Sequence, residues 1–256
     1  MHLQTSLSTK DDPLSLANHF LNHYRSLGVK NFHFFLNINS GNSERDQDYI
    51  NFLNQPDIKV AEIFEGLENV IERTTMYHDY RLKKLMNEKY VISIDIDEFL
   101  EDPKAYIKAA IQHDYDFIPG MLVDRFGIDG FTHEIKEDES LFKTFPIESD
   151  FTYFSIGGMM QKIPILKPEI KHTTGFHRIV DIERHTRPHW YVRVHHFKWF
   201  KDVISKIQDR VDRKWGGEKY LQECNYFLEN YILGEQQISL KDCTSFLSTF
   251  KNESKH

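Results

Sequence analysis

Apolar positions in the first hundred residues switch repeatedly between a helical and an extended period. Leu16, Phe20, Leu21, Tyr24 and Leu27 recur at three- and four-residue intervals between Asp12-Pro13 and Gly28, which predicts a helix with Asp12 as N-cap, Pro13 as its first residue and a stop at Gly28. Asn31 to Ile38 is aromatic and apolar and reads as a strand. A polar turn around Asn39, Ser40, Gly41 and Asn42 leads to a short helix near 45–54, closed by Gln55-Pro56. Ile58 to Phe64 is the next strand, about Leu67 to Asn87 a longer helix, and Tyr90 to Ile96 a further strand. Alternation with short connections implies a mainly parallel sheet covered on both faces.

From Asp116 the pattern changes to short Phe- and Ile-rich strands punctuated by Gly and Pro, including one over 117–124, and from Phe200 to about Leu247 it becomes helical and charged. The reading is an α/β chain with crossovers typical of nucleotide-binding folds over 1–115, a second lobe built onto the same sheet over 116–197 and a C-terminal helical extension over 214–256.

Residues 90–100 read YVISIDIDEFL, a buried-looking run that breaks into Asp95, Asp97 and Glu98. Three acids in four residues are costly to bury without a counter-charge, and a divalent cation is one such charge. If the strand continues, Asp95 and Asp97 share a face and can converge on one oxygen-loving ion. The same acids also suit a solvated turn, with Asp102-Pro103 downstream as a helix start. Spacing alone leaves both readings standing. Glu98 reads as an acid that supports the ligands or opens the following helix.

Composition narrows the classes. The chain has 256 residues, 40% hydrophobic and 28% charged, with net charge −7 and no basic block, so nucleic acid is not expected as a main partner. Cys224 and Cys243 have no metal-ligand spacing and suit a reducing compartment. The start MHLQTSLSTKDDP has no cationic and then apolar leader, and no run reaches eighteen apolar residues; the expectation is a cytoplasmic protein without a transmembrane segment, peripheral contact with a membrane staying open. Twenty Phe and twelve Tyr fit a Phe-rich core or a stacking surface. There is no Walker loop or GxGxxG after the first strand, and Gly157-Gly158 reads as a turn, so a bound phosphate would rely on metal and scattered cations.

A second cluster, HWYVRVHHFKWF over 189–200, interleaves aromatic and basic residues on a strand that sends His195 and His196 to opposite faces. Either could add a nitrogen to a carboxylate-bound Mn²⁺ or Mg²⁺, and Lys198 could neutralise a phosphate. Equally, one histidine is a satisfied core residue and the other exposed. His172 and His177 carry the same ambiguity.

YVISIDIDEFL, with HFLNHYRSLGVKNFHFF upstream, resembles the DxD-containing half of family-2-like nucleotide-sugar glycosyltransferases with the GT-A fold. VDRFGIDG (Asp124, Arg125, Asp129, Gly130), Phe145-Pro146, Lys162, Gly175 to His177 and VHHFKW at 194–199 follow in the order of that group's blocks, over roughly residues 14–213, within a GT-A-like domain spanning 1–213. The resemblance implies transfer of a sugar, with inversion, from a nucleoside diphosphate sugar to a hydroxyl of a saccharide or glycoconjugate. It implies Mn²⁺ or Mg²⁺ on Asp95 and Asp97, completed by His195 or His196. Arg125, Lys162, His177 and Lys198 are the implied donor-binding residues, and Asp124, then Asp138 in KEDES, the implied base. Two features depart from the group. Leu36, Asn37 and Asn39 stand where an acid usually closes the second strand, and the first strand is only HLQTSLS. A metal-dependent phosphoesterase or nucleotidyltransferase, or a non-catalytic nucleotide- or carbohydrate-binding module, are the other readings of the same acids.

Overall fold

The structure, a computed structural model, describes residues 1–38, 43–65, 70–154, 156–215 and 217–241. The elements are β1 His2–Ser8, α1 Leu14–Ser26, β2 Asn31–Ile38, α2 Glu44–Leu53, β3 Ile58–Glu65, α3 Val70–Lys84, β4 Val91–Ser93, β5 Glu98–Leu100, α4 Pro103–His113 and β6 Phe117–Phe126. They continue with α5 Leu141–Thr144, β7 Ile147–Ser149, α6 Phe151–Phe154, β8 Gln161–Leu166, β9 Val192–His196, α7 Val203–Asp212, α8 Glu218–Asn230, β10 Ile232–Gly234 and β11 Gln237–Ile238. The chain forms two compact units, one from 1–121 with 161–194 and the other from 122–160 with 195 onward. The expected turn at 39–42, the start of the third helix at 67–69 and Cys243 lie outside the described residues.

In the first unit the strand order is β3-β2-β1-β4-β8-β6-β9-β5, with β6 counted as far as Met121 and β9 as far as Val194. β3, β2, β1 and β4 run parallel, each joined to the next in sequence by a helix, as the alternation predicts. From β4 onward the pairing with β8, and of β8 with β6, is antiparallel, so the sheet is mixed where the sequence suggested mainly parallel strands. Gly120 lets β6 pass here: a Cβ on it would lie 2.7 Å from Val194 Cγ2 and 3.1 Å from the Pro164 ring. The β6–β8 register shifts between Ile118 and Gly120, opposite the strand in which Pro164 lacks an amide to donate.

α1 buries Leu16, Ala17, Phe20, Leu21 and Tyr24, the stripe that the period predicts, and Phe20 meets Phe34 and Phe99 edge-on. Its start differs by one residue. Pro13 keeps an extended backbone, and Asp12 accepts from the Ser8 amide at 2.8 Å instead of capping the helix. Gly28 ends it with φ +85°, where a side chain would be strained. α4 starts as the sequence reads, with the Asp102 carboxylate taking the Ala105 amide at 2.9 Å.

The second unit packs α6, α7 and α8 around Phe126, Phe151, Trp199, Phe227 and Tyr231, a core that includes the Cys224 thiol. Of the helical pattern read through to Leu247, α8 ends at Asn230 and β10 and β11 pair as a hairpin, while 242–247 lie outside the described residues. No helix among the described residues is long and apolar enough to cross a membrane.

Candidate functional site

In the parallel half of the first unit the chain adds β2 and β3 on one side of β1 and then β4 on the other. The gap between β1 and β4 at their carboxyl ends is therefore a topological switch point, where open α/β sheets bind ligands. Gln4 and Ser93 tie the two strands together there through a 3.0 Å side-chain hydrogen bond. The acids lie immediately beyond. β4 ends at Ser93, shorter than predicted, and Asp95 to Glu98 make a turn in which the Glu98 amide donates to the Asp95 carbonyl at 3.1 Å. Asp95 and Asp97 thus lie on one turn, not on a shared strand face, and a carboxylate oxygen of Asp97 lies within 4.8 Å of one of Glu98. Glu98 opens strand β5, not a helix, and its Oε2 accepts from the Asp95 amide at 3.2 Å.

Three basic side chains surround this turn. Lys162 Nζ, on β8, lies 2.7 Å from Asp95 Oδ2 and 2.8 Å from Glu98 Oε1, and donates more weakly to the Gly175 carbonyl at 3.4 Å. Arg73, on α3, places Nη1 3.4 Å from Asp95 Oδ1 and 3.2 Å from the Ser6 hydroxyl near the end of β1, so its guanidinium spans the switch point. His177 is fixed through Nδ1, 2.7 Å from the Gln161 carbonyl. Under them the Phe176 ring packs tilted against Tyr77, with the Arg73 guanidinium 5.1 Å and the Lys162 ammonium 5.9 Å from its centre. Phe176 holds φ +60° to do so, a sparsely populated conformation for a bulky side chain.

The electrostatics follow from these contacts. Burial alone would raise the Asp95 carboxyl, but Lys162 and then Arg73 outweigh it and hold the group well below the usual carboxylate range. Burial likewise opposes the Lys162 charge, and Asp95 and Glu98 overcome it, raising the ammonium above its ordinary value. Asp95 Oδ1 is enclosed and accepts no hydrogen bond, although it faces Arg73. Asp97 is half-buried on the same turn.

The second unit holds the other expected residues in two buried pairs. Asp124, only 1% exposed, accepts at Oδ1 from His196 Nδ1 (2.8 Å) and Trp199 Nε1 (2.9 Å) and at Oδ2 from the Thr152 amide (2.7 Å). Burial pushes this carboxyl up, and the His196 contact with the two other donors more than reverses it. An ionised carboxylate only accepts, so the His196 proton sits on Nδ1. Arg125 does the opposite to His195. Its Nε and Nη2 lie 3.2 and 3.1 Å from His195 Nδ1, and a guanidinium only donates, so that nitrogen carries the lone pair. Arg125 also pairs with Glu148 at 2.6 Å and lies under the Phe142 ring at 5.0 Å. Adjacent residues on β9 therefore hold opposite imidazole tautomers, as their opposite faces allow.

Lys198 stands with its ammonium 5.0 Å over Trp199, and Asp138 is exposed in a turn where Lys136 and Glu139 pair at 2.8 Å. His172 is enclosed in the first unit with Nε2 3.0 Å from the Ile163 carbonyl, the core-histidine alternative. Arg73, Tyr77 and Phe176 were not singled out by sequence; Arg73 lies inside a charged helical run, where nothing marks it off from a solvated arginine.

No family model and no curated protein matches the chain. Similar solved structures include HddC from Yersinia pseudotuberculosis, 14% identical over 66% of this chain and 74% of that one with a TM-score of 0.33. S. aureus TarS 1–349 is 11% identical over 90% and 72%, with a TM-score of 0.33. A protein assigned as a nucleotide-diphospho-sugar transferase from Desulfovibrio desulfuricans G20 is 11% identical over 50% and 59%, with a TM-score of 0.30. Likenesses this partial carry no argument about activity, so the functional reading rests on the side chains of the chain itself.

Proposed function

We propose that the protein is a metal-dependent, GT-A-like glycosyltransferase that moves a sugar from a nucleoside diphosphate sugar to an acceptor hydroxyl. The observation that carries this reading is the acid turn at the β1/β4 switch point, bridged by Arg73 from Ser6 to Asp95 and backed by Lys162. A diphosphate needs fixed positive charge, and this is where an α/β sheet offers a crevice for it. The ordered DIDEF and HHFKW blocks support the same reading.

The turn offers oxygens suited to a hard divalent cation: Asp97 and Glu98 each present a carboxylate oxygen within 4.8 Å of the other, and the enclosed Asp95 Oδ1 accepts no hydrogen bond. Asp95 and Asp97 would hold Mn²⁺ or Mg²⁺, which when bound supplies Lewis-acid stabilisation of the leaving diphosphate. Arg73 and Lys162 are already oriented by Asp95 and would add charge to the same diphosphate without reorganising. His177 is a further donor to it.

The acceptor hydroxyl must lose its proton as its oxygen attacks the anomeric carbon, and Asp138 and Asp124 are the proposed bases. Asp138 is exposed and can meet a hydroxyl directly. Asp124 has both oxygens engaged and would act through His196, keeping the proton on Nδ1 so that Nε2 is the basic nitrogen.

One observation favours a second reading: Lys162 already serves as counter-charge to Asp95 and Glu98, which suits a metal-free nucleotide-binding module. Thermal stabilisation by UDP, GDP, CDP and dTDP, with and without Mn²⁺, and Mn²⁺-dependent donor hydrolysis separate the two. The transferase reading expects both signals to need Mn²⁺ and to vanish in Asp95→Asn and Asp97→Asn. Unchanged hydrolysis in either variant sinks it, and EDTA-insensitive binding without turnover supports the module.

A further inference from the structure

Outside the acid turn, the first unit carries a surface that the sugar-transfer reading does not use. Residues 178–193 contain four arginines against Asp181 and Glu183, the latter two exposed and Asp181 pairing with Arg184 at 3.5 Å, in a chain whose net charge is −7. The part from Thr186 onward is held along α4. Thr186 and Asp116 exchange backbone and side-chain hydrogen bonds of 2.8–3.2 Å beyond the end of the helix. The Trp190 ring lies 6.3 Å from Tyr106 in its middle, and Arg193 reaches Glu101 at 3.7 Å before its start. Four large apolar side chains on this stretch, Val180, Ile182, Trp190 and Tyr191, are each 37–42% exposed. Arg178, Arg184 and Arg187 are exposed among them, and the Arg187 guanidinium lies 6.0 Å over the Tyr191 ring.

We propose that α4 and the 178–193 stretch form a docking surface for the anionic face of a lipid bilayer. The charge is complementary: a cationic stretch on an acidic protein is drawn to acidic headgroups while the rest of the chain is repelled, which orients the molecule. Trp and Tyr beside arginine is the side-chain set that rests at the headgroup level, with ring bodies in the apolar boundary and polar tips in water. Val180 and Ile182 decide between a bilayer and a soluble anionic polysaccharide. A sugar chain would gain from the aromatic faces and the guanidinium groups but has no use for two exposed β-branched aliphatics, whereas hydrocarbon does.

The test is co-sedimentation of the full chain with neutral phosphatidylcholine vesicles and with vesicles containing phosphatidylserine, at low and high salt. The expected result is partition onto the anionic vesicles alone, reversed by salt, with blue-shifted Trp190 emission. Arg184→Glu with Arg187→Glu, and separately Ile182→Ser with Trp190→Ser, should each lower the partition about tenfold or more with unchanged melting temperature. Equal partition onto both vesicle types, or undiminished partition in both variants, overturns the proposal. Binding to soluble polyphosphate that matches binding to the anionic vesicles and survives Ile182→Ser with Trp190→Ser also overturns it, because the apolar side chains would then have no part.

Discussion

Lys162 Nζ lies 2.7 Å from Asp95 Oδ2, so a buried ammonium from β8 already neutralises the first acid of the DIDEF turn. The pair links the antiparallel part of the first unit to the carboxyl end of β4, and Glu98 completes it at 2.8 Å. Removing the ammonium isolates two carboxylates in a low-dielectric site. Lys162→Met should therefore lower stability by roughly 3 kcal/mol, read by urea unfolding. If the acids also bind a cation, Mn²⁺ should raise the melting temperature of this variant more than that of the unaltered chain. An equal response in both would separate the acids from metal binding.

Asp124 accepts from three donors, and only an ionised carboxylate can satisfy all of them. Asp124→Asn turns an NH₂ toward one of those donors, at a cost of roughly 1–3 kcal/mol for the unsatisfied pair. The variant should also release the His196 tautomer. In the unaltered protein ¹⁵N spectra should show a protonated Nδ1 on His196 and a protonated Nε2 on His195; the same tautomer at both positions would contradict the opposite pairings with Asp124 and Arg125.

Acid should weaken the first unit through two enclosed histidines. Burial, and then Arg81, lowers His172 to about 3, while burial, His2 and Lys59 lower His33 to about 4. Both are depressed below the ordinary histidine value of about 6.5, so below that pH the unfolded chain takes up protons that the folded chain refuses. Stability should be intact above about pH 6.5 and fall as pH drops toward 4, by up to about 1.4 kcal/mol per pH unit for each histidine. His172→Gln keeps a donor for the Ile163 carbonyl but cannot charge, and should flatten the slope in urea unfolding between pH 6.5 and 4.5. An unaltered slope would count against this origin.

Arg81 is fully buried on α3 and holds the loop after β8, with Nε 3.1 Å from the Pro168 carbonyl and Nη2 2.7 Å from the Ile170 carbonyl. Desolvation lowers the guanidinium to about 10, which still leaves it charged at neutral pH. Arg81→Met should cost roughly 2–4 kcal/mol, since two buried carbonyls lose charge-assisted donors. Hydrogen exchange should show the loss of protection centred on residues 168–172; uniform loss would assign Arg81 a different role.

The helix–strand alternation of the first hundred residues is legible because it is local. Burial of one face writes a period into the chain, and β2, α1 and the Asp102 cap of α4 fall where that period and the cap chemistry put them. The opposite faces of His195 and His196 are equally local, a consequence of the strand repeat. The turn at Asp95 was less legible, because an apolar run cannot show that its strand ends at Ser93.

By itself, then, the sequence determined the alternation of helices and strands in the first hundred residues, the face that α1 buries, and that three acids crowd the end of one strand. Only the tertiary structure decided what meets those acids. Arg73 and Lys162 come from 22 residues before and 67 residues after Asp95. Asp124 finds its partners 28, 72 and 75 residues away. Such pairings follow from strand order: β8 lies beside β4, and α3 crosses from β3 to β4 past the end of β1. Periodicity records burial, whereas the partner of a buried charge depends on which distant element the sheet sets beside it.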